Sequence, residues 1–330
     1  MIKKYCSYLC LFLVNSLFSQ TINGIVVDKT TQEPLIGASV YFDGTTIGTI
    51  TDENGAFTLE TEKKITAPFI ISYIGYTDVV LQLGDQLEGL KISLSPKAVS
   101  LNEVVLRADP FTREQKLKAF KLQFLGQTVA GKSCKILNED AIYVGYDVSK
   151  KELIASADEP ILIENPHLGY QLQFRLESCT LKYYSKSINP FDLQSTFYSG
   201  TCFFIDKQKG NKKSEKRRLK SYLGSIMHLM RSSLVQNWKK EGFTFYDGKY
   251  PTNPSIHFSF SDTLGLKKVT LPKRLSILYK KKKQSAIFPK YKYYFIDGYG
   301  NFYPPDAVSF SGAMGEKRVG DLLPLDYKPE

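Results

Sequence analysis

Short apolar runs separated by turn residues fill residues 20–106. They read TINGIVVD, ASVYF, TTIGTIT, GAFTLE, FIISYIG, TDVVLQL and LKISLS, with Gly, Pro, Asn and Asp in the gaps. Valine, isoleucine, threonine and aromatic residues suit a pleated, half-buried surface, and short strands at even spacing are typical of antiparallel sandwiches. This part of the chain is therefore predicted to be an antiparallel β-sandwich.

The pattern changes after residue 107. In DPFTREQKLKAFKLQFLGQT, Thr112 is placed to cap a helix, and apolar residues recur at helical spacing as far as Gly126. Alternating runs then return, with a hairpin predicted at Lys150-Lys151 and long antiparallel strands in GYQLQFRLESCTLKYY and STFYSGTCFFID. A second hairpin is predicted at the basic run YKKKKQ. We therefore predict a mostly β chain whose second part is α+β.

One long helix is predicted in the middle of this second part. Its apolar face consists of Leu219, Leu223, Ile226, Met230, Leu234 and Trp238. Cations crowd its beginning, where they oppose the helix macrodipole and so do not stabilise the helix. They are a candidate binding surface for an external anion or for the first domain, although a solvated face is the simpler interpretation. The candidate residues are Lys212, Lys213, Lys216, Arg217, Arg218, Lys220 and Arg231.

The stretch around Asp52 allows two interpretations. Its acids could bind a cation, but Ala56 and Thr58 stand where a calcium loop would need oxygen ligands. Asn54-Gly55 between alternating runs is a strong hairpin signal, because both residues tolerate positive φ. The turn interpretation is favoured.

The N-terminus MIKKYCSYLCLFLVNSLFSQ combines two lysines, a short apolar run and a small residue near its end. This layout predicts a secretory signal over residues 1–19, and the apolar run is too short to span a bilayer comfortably. Domains are then expected at 20–106 and 107–330. The first carries 5 Lys and Arg against 11 Asp and Glu, and the second carries 37 against 22. This asymmetry suggests docking between the two, or an anionic partner for the second.

Three cysteines remain after the signal, which is too few for a disulfide scaffold. Cys179 and Cys202 lie on neighbouring predicted strands, so a disulfide between them is one option. Burial of all three as small apolar residues is the other, and it is slightly favoured.

The residue pattern contains no recognised catalytic or metal motif. The three histidines are not followed by acids at metal-binding spacing, and there is no HExxH, GxSxG, P-loop or GxGxxG signature. We expect a non-catalytic protein without a cofactor. The alternative is an exported hydrolase that uses dispersed residues such as His228 and Cys202.

The string GIVVDKTTQEPLIGASVYFDGTTIGTITDENGAFTLE, followed by ISYIGYTDVV and SLNEVVL, resembles the carboxypeptidase-regulatory-like domain of secreted and outer-membrane proteins of Bacteroidota-type bacteria. The resemblance implies a seven-stranded prealbumin-like sandwich with a structural or binding role. Such domains also precede TonB-dependent transporters, but this chain is too short for their barrel. The remainder resembles the C-terminal region of uncharacterised secreted proteins, which brings no activity with it.

These observations predict an exported binding or scaffold module of the periplasm or outer membrane. The expected partners are an envelope protein or an anionic polysaccharide or lipid, and export argues against nucleic acid. An adaptor for a TonB-dependent transport system is a further alternative.

Overall fold

A computed structural model of the protein describes residues 20–61, 65–84, 87–97, 109–263 and 266–329. The predicted signal segment 1–19, the SLNEVVL segment and the expected domain boundary near Arg107 lie outside these residues. Bilayer-spanning length and apolarity are not combined in any helix of the described ranges.

Seven strands form the first part of the described chain, in two sheets. The sheet orders are β4-β1-β7 and β3-β2-β5-β6. Buried side chains of both sheets, among them Val26, Phe57, Val40 and Phe69, meet in one hydrophobic core. The strands are β1 (Gln20–Asp28), β2 (Ser39–Phe42), β3 (Gly48–Ile50), β4 (Ala56–Thr61), β5 (Phe69–Ser72), β6 (Val79–Leu81) and β7 (Leu90–Leu94).

Two details of this first part correct the sequence-based prediction. The pair β1–β7 is parallel, with Gly24 opposite Leu90, so the sheets are not wholly antiparallel. The chain crosses from the edge strand β6 of one sheet into the other sheet and enters beside β1, which permits a parallel pair. Asn54-Gly55 forms a turn, but it joins β3 to β4, which belong to different sheets, and of the two only Gly55 has a positive φ, of 69°. It is therefore not a hairpin turn.

A six-stranded sheet and two helices follow. The elements are α1 (Arg113–Leu125), α2 (Val129–Ser133), β8 (Lys135–Ile136), β9 (Ile142–Asp147), β10 (Glu152–Ala157), β11 (Ile161–Asn165), β12 (Tyr170–Tyr183) and β13 (Leu193–Asp206). Thr112 caps α1 through a capping box, as predicted. The Phe124 ring of α1 packs edge-on against Phe174 of β12, with 5.1 Å between ring centroids. The predicted hairpin at Lys150-Lys151 and the two long strands are confirmed.

The single long helix predicted from Leu219 to Trp238 is wrong. The structure has α3 (Lys212–Tyr222) and α4 (Ile226–Leu234), and Trp238 lies beyond both. Gly224 between them has a φ of +72°, which a continuing right-handed helix does not allow. The Ser225 hydroxyl then accepts a hydrogen bond from the His228 N–H and caps α4.

The C-terminal part has two more sheets, ordered β15-β14-β18-β19-β22 and β16-β17-β20-β21. They share a third hydrophobic core, around Trp238. It is separate from the core of the first part and from the core that the six-stranded sheet forms with α1. The predicted hairpin at YKKKKQ is confirmed, with positive φ at Lys280 and Lys281. The elements are β14 (Phe243–Asp247), β15 (Tyr250–Thr252), β16 (Ser259–Thr263), β17 (Leu266–Thr270), β18 (Leu275–Tyr279), β19 (Lys283–Pro289), β20 (Tyr293–Ile296), β21 (Phe302–Tyr303), β22 (Val308–Ser311) and α5 (Gly312–Gly315).

The disulfide between Cys179 and Cys202 is absent, because both thiols are free. Cys179 lies opposite Tyr198, whereas Cys202 lies opposite Phe174. The four residues from Tyr198 to Cys202 separate the two positions by about 14 Å along the strand, well beyond disulfide reach. Cys179 and Cys202 are instead buried, as the other interpretation predicted, and Cys134 is half-buried.

Candidate functional site

The predicted cations on α3 fall into an exposed set and an internal set. Four lysine side chains are exposed on the helix, and we call them the lysine stripe: Lys212, Lys213, Lys216 and Lys220. The helix begins after Asn211, whose side chain accepts hydrogen bonds from the N–H groups of Lys213 and Ser214. The cap therefore fixes where the stripe begins, and the stripe runs from Lys212 in the first turn of α3 to Lys220 in its last turn.

Arg218 does not belong to the exposed surface, because only 2% of it is exposed. Its guanidinium bonds Asp206 of β13 at 2.7 and 2.9 Å and Glu215 at 2.6 Å, and it donates to the Leu168 carbonyl at 2.8 Å. It also lies over the Tyr170 ring, 3.9 Å from the ring centroid. A buried charge needs such partners, so Arg218 anchors α3 to the six-stranded sheet.

Arg217 and Arg231 also make internal contacts. Arg217 is half-buried and donates to the His167 carbonyl at 3.2 Å. Burial and the nearby Arg217 charge lower the pKa of His167. Arg231 of α4 donates at 2.8 Å to the carbonyls of Tyr299, Leu325 and Tyr327, so it holds the C-terminal tail against α4.

The lysine stripe carries uncompensated positive charge. Glu215 lies on the same helix, but its carboxylate is paired with Arg218. Within the described ranges, no carboxylate oxygen lies within 4.0 Å of a stripe ammonium. Since the first turn also carries the positive end of the helix dipole, the stripe is arranged to attract an anion.

A cleft of about 590 Å³ is lined by residues from three parts of the molecule, and one of these parts lies close to the stripe in sequence. Its walls include Glu60 and Ile65 of the first part, Lys209 before α3, and Tyr299. Arg231 and the tail residues 325–329 also line it. Junctions of this kind are common places for ligands, and Lys209 and Arg231 add two cations to the wall of this cleft.

The first part of the chain is joined to β13 by a short ladder of polar contacts. The Asp43 carboxylate accepts a hydrogen bond from the Cys202 N–H at 2.7 Å, and the Gly44 N–H donates to the Cys202 carbonyl at 2.6 Å. Burial raises the pKa of Asp43 to about 6, against the opposing effect of these bonds. Asp43 is thus a junction residue instead of a hydrated turn acid.

The C-terminal tail closes the same junction from the other side. The Leu325 N–H donates to the Gly44 carbonyl at 2.6 Å, and the Thr46 N–H donates to the Asp326 carboxylate at 2.9 Å. A separate ion pair of 2.5 Å joins Arg175 of β12 to Asp78. The cation that contacts the acidic first part here is therefore Arg175, which lies outside the predicted cluster.

The residues of the hydrolase alternative occupy different packing environments. His228 is buried; its Nδ1 accepts from the Gly224 N–H at 3.0 Å, and its Nε2 lies 3.0 Å from Glu241 Oε2. Burial lowers the pKa of His228. Cys202 lies in the core beneath α1, where burial raises the pKa of its thiol. Within the described residues, no three His, Cys, Asp or Glu side chains group as metal ligands.

Comparison with known proteins explains the first part of the chain. Residues 22–106 match the family described as the CarboxypepD_reg-like domain. This segment is a CarboxypepD_reg-like domain. The match confirms the resemblance inferred from its motifs.

A receptor domain is similar to this CarboxypepD_reg-like domain. A stretch of 98 residues is 40% identical to the TonB-dependent receptor SusC of Bacteroides thetaiotaomicron. The stretch is 29% of this chain but 9% of the receptor, so the likeness concerns one domain and not the receptor's activity.

Two solved structures give weak alignments. A Bacteroides fragilis protein described as membrane-associated and of unknown function is 12% identical, with 84% of this chain and 92% of that chain covered. A 9R-lipoxygenase from Cyanothece is 10% identical, with 66% and 49% covered. Both TM-scores are 0.19, which is too low to describe a shared fold.

Proposed function

We propose that this chain is an exported, non-catalytic protein of the periplasm or outer membrane that binds an anionic polysaccharide along the lysine stripe. One observation carries the proposal. The four stripe lysines are exposed on one helix, which the buried Arg218 anchors to the six-stranded sheet. No carboxylate of the described residues neutralises these lysines. Such a surface binds anions by charge, without catalysis.

The geometry of the stripe favours a linear polyanion. Lys212, Lys216 and Lys220 recur at intervals of four residues, so their backbones span about 12 Å along one side of α3. Lysine is a hydrated point charge on a flexible stem, whereas arginine forms a fork suited to one fixed acid group. A row of lysines therefore suits repeated, loosely held charges, and Lys209 extends the row toward the cleft.

Export and the architecture of the first part agree with this role. The N-terminal layout has the features of a secretory signal, and the CarboxypepD_reg-like domain is similar to part of an outer-membrane-type receptor. Seven strands in sheets of three and four support a prealbumin-like arrangement for this domain. We assign it a structural or scaffold role, because its Asp43 loop is occupied by the junction with β13.

Binding to dextran sulfate resin, with uncharged dextran resin as the blank, tests the proposal. The triple variant Lys212→Glu, Lys216→Glu, Lys220→Glu should weaken retention of the mature chain by roughly tenfold or more. The matched control is Lys239→Glu, Lys240→Glu, Lys249→Glu, which changes the net charge equally at exposed lysines that do not belong to α3. Equal losses in both variants would mean that net charge alone drives retention, and the stripe would lose its role.

A second candidate function is an adaptor for a TonB-dependent transport system. The 40% identity to part of SusC is the observation that favours it. Co-purification of the tagged chain with an outer-membrane barrel, retained in the presence of excess dextran sulfate, would support the adaptor over the polysaccharide-binding module. Loss of the barrel under that competition would count against the adaptor.

A further inference from the structure

The loop between the two longest strands presents an aromatic tip. Residues 184–192 connect β12 to β13, and Phe191 at the turn is 95% exposed. Tyr184 at the start of the loop is 67% exposed. We call Tyr184 and Phe191 the aromatic tip. A phenylalanine ring left this open to water costs free energy unless a partner covers it.

The loop is held firmly, so the exposure of Phe191 is built into the structure. The Tyr184 N–H donates to the Asp192 carbonyl at 2.9 Å and closes the loop. The Tyr146 hydroxyl accepts from the Ser187 N–H at 3.2 Å, and Ile188 packs against the core beneath α1. One apolar side chain of the loop therefore points inward while Phe191 points outward.

The turn itself fixes the direction of Phe191. Asn189 caps a 3₁₀ turn at Pro190–Asp192, and its side chain accepts from the Phe191 N–H at 3.0 Å. Proline at the first position of this turn restricts the backbone just before Phe191. The ring is thus presented at a rigid, convex point instead of in a groove.

Lysines surround the tip. Lys182 and Lys186 are exposed on either side of Tyr184, and the adjoining hairpin adds Lys150 and Lys151. Lys182 also lies 3.6 Å from the Glu152 carboxylate, in a half-exposed ion pair that a lipid phosphate would have to replace. The Lys151 ammonium donates to the Tyr184 carbonyl at 3.0 Å, which places that hairpin beside the tip. Aromatic side chains with nearby lysines are the combination found where proteins meet the interface of an anionic bilayer.

We propose that the aromatic tip is a membrane-surface contact, with Phe191 entering the headgroup region of an anionic bilayer and the four lysines pairing with lipid phosphates. A convex point with a single apolar ring suits a fluid surface, which needs no complementary pocket. The site is independent of the lysine stripe. Tyr170, under Arg218, and Tyr183, beside the tip, are the two ends of β12, about 44 Å apart.

Vesicle co-sedimentation of the mature chain tests this proposal. The wild type should bind vesicles of phosphatidylethanolamine and phosphatidylglycerol and bind phosphatidylcholine vesicles much less. Phe191→Ser should lower the partition coefficient about tenfold, because it removes one interfacial aromatic ring. Since Phe191 is exposed, the variant should fold normally. Phe191→Trp should keep binding and shift its fluorescence to the blue on anionic vesicles, against the constant signal of buried Trp238.

Ile256→Ser is the matched control. Ile256 is 75% exposed and lies in another 3₁₀ turn with an Asn-Pro start, at Pro254–Ile256. It should bind vesicles as the wild type does, and so should the triple variant of the lysine stripe. Equal loss at Ile256 or at the stripe would reassign the binding and overturn the proposal. If the wild type binds neither kind of vesicle, the membrane assignment fails, and a groove on another protein becomes the partner to consider for the aromatic tip.

Discussion

The carboxylate of Asp43 and the backbone N–H of Cys202 form a 2.7 Å hydrogen bond across the junction between the first part of the chain and the long strand β13. The residues are far apart in sequence, and their bond lies beside a second one between Gly44 and Cys202. The CarboxypepD_reg-like domain is therefore tied to the rest of the protein by main-chain geometry as well as by charge.

Acidification should stabilise the folded protein, because it removes the charge buried on Asp43 at this junction. The pKa of Asp43 is raised to about 6, above the ordinary value of about 3.9 for an unfolded chain. The folded state then holds a proton that the unfolded state has lost, so this group's contribution to stability is full below about pH 4 and falls as pH rises toward 6. The resulting decrease in the free energy of unfolding amounts to about 3 kcal/mol. Asp43→Asn should remove this decrease.

Urea unfolding between pH 4 and pH 8 measures the effect. Other carboxylates impose their own pH dependence on both proteins, so the informative quantity is the variant minus wild-type difference in unfolding free energy. That difference should rise across pH 4–6 and then level off. Glu53→Gln, at an exposed turn residue, serves as the control and should show a flat difference. A flat difference for Asp43→Asn as well would refute the buried-carboxyl interpretation.

Arg218 should matter for folding and not for ligand capture. Arg218→Met leaves Asp206 and Glu215 without their shared cation, and we expect a loss of about 3 kcal/mol in unfolding free energy. The partners remain partly exposed to water, which keeps the loss at the lower end for a buried pair. Lys216→Met on the same helix is the control and should change stability by about 0.5 kcal/mol or less. Urea denaturation of both variants decides the matter, and comparable values would contradict the anchoring role.

The break between α3 and α4 should depend on Gly224 for two reasons. Its φ is +72°, and a Cβ at this position would lie 2.6 Å from the Tyr279 ring. Gly224→Ala should therefore lose about 1–2 kcal/mol from backbone strain and more from the clash. Gly210→Ala separates the effects, because Gly210 has a φ of +75° but nothing within 4 Å of the added Cβ. Thermal unfolding should rank Gly224→Ala clearly below Gly210→Ala. The same loss in both would leave packing against Tyr279 without a role.

Local signals predicted much of the fold. The helix cap at Thr112, the alternation in GAFTLE and the lysine hairpins depend on neighbouring residues, and the structure confirms them. Gly224-Ser225 is also a local signal, since glycine often ends a helix and serine often begins one. The helical spacing of apolar residues continues from Leu219 to Trp238, so the predicted helix ran through this break.

Contacts between residues far apart in the chain were harder to predict from the sequence. The sequence does not show that β4 leaves the sheet of β3, or that Asp206 lies beneath Arg218, because both depend on strands brought together by folding. The predicted cluster accordingly mixed exposed lysines with internal arginines. The aromatic tip was missed, although Asn-Pro-Phe-Asp between two long strands could have indicated an ordered, exposed turn.

The junction at Gly44 also sets an order of assembly. Its N–H is paired with Cys202 and its carbonyl with Leu325, while Thr46 waits for Asp326. This loop therefore completes its hydrogen bonds only after Leu325 and Asp326 have been synthesised, and Asp326 follows Thr46 by 280 residues. A chain truncated before Leu325 cannot close this loop, so it should expose an open junction that proteases can recognise.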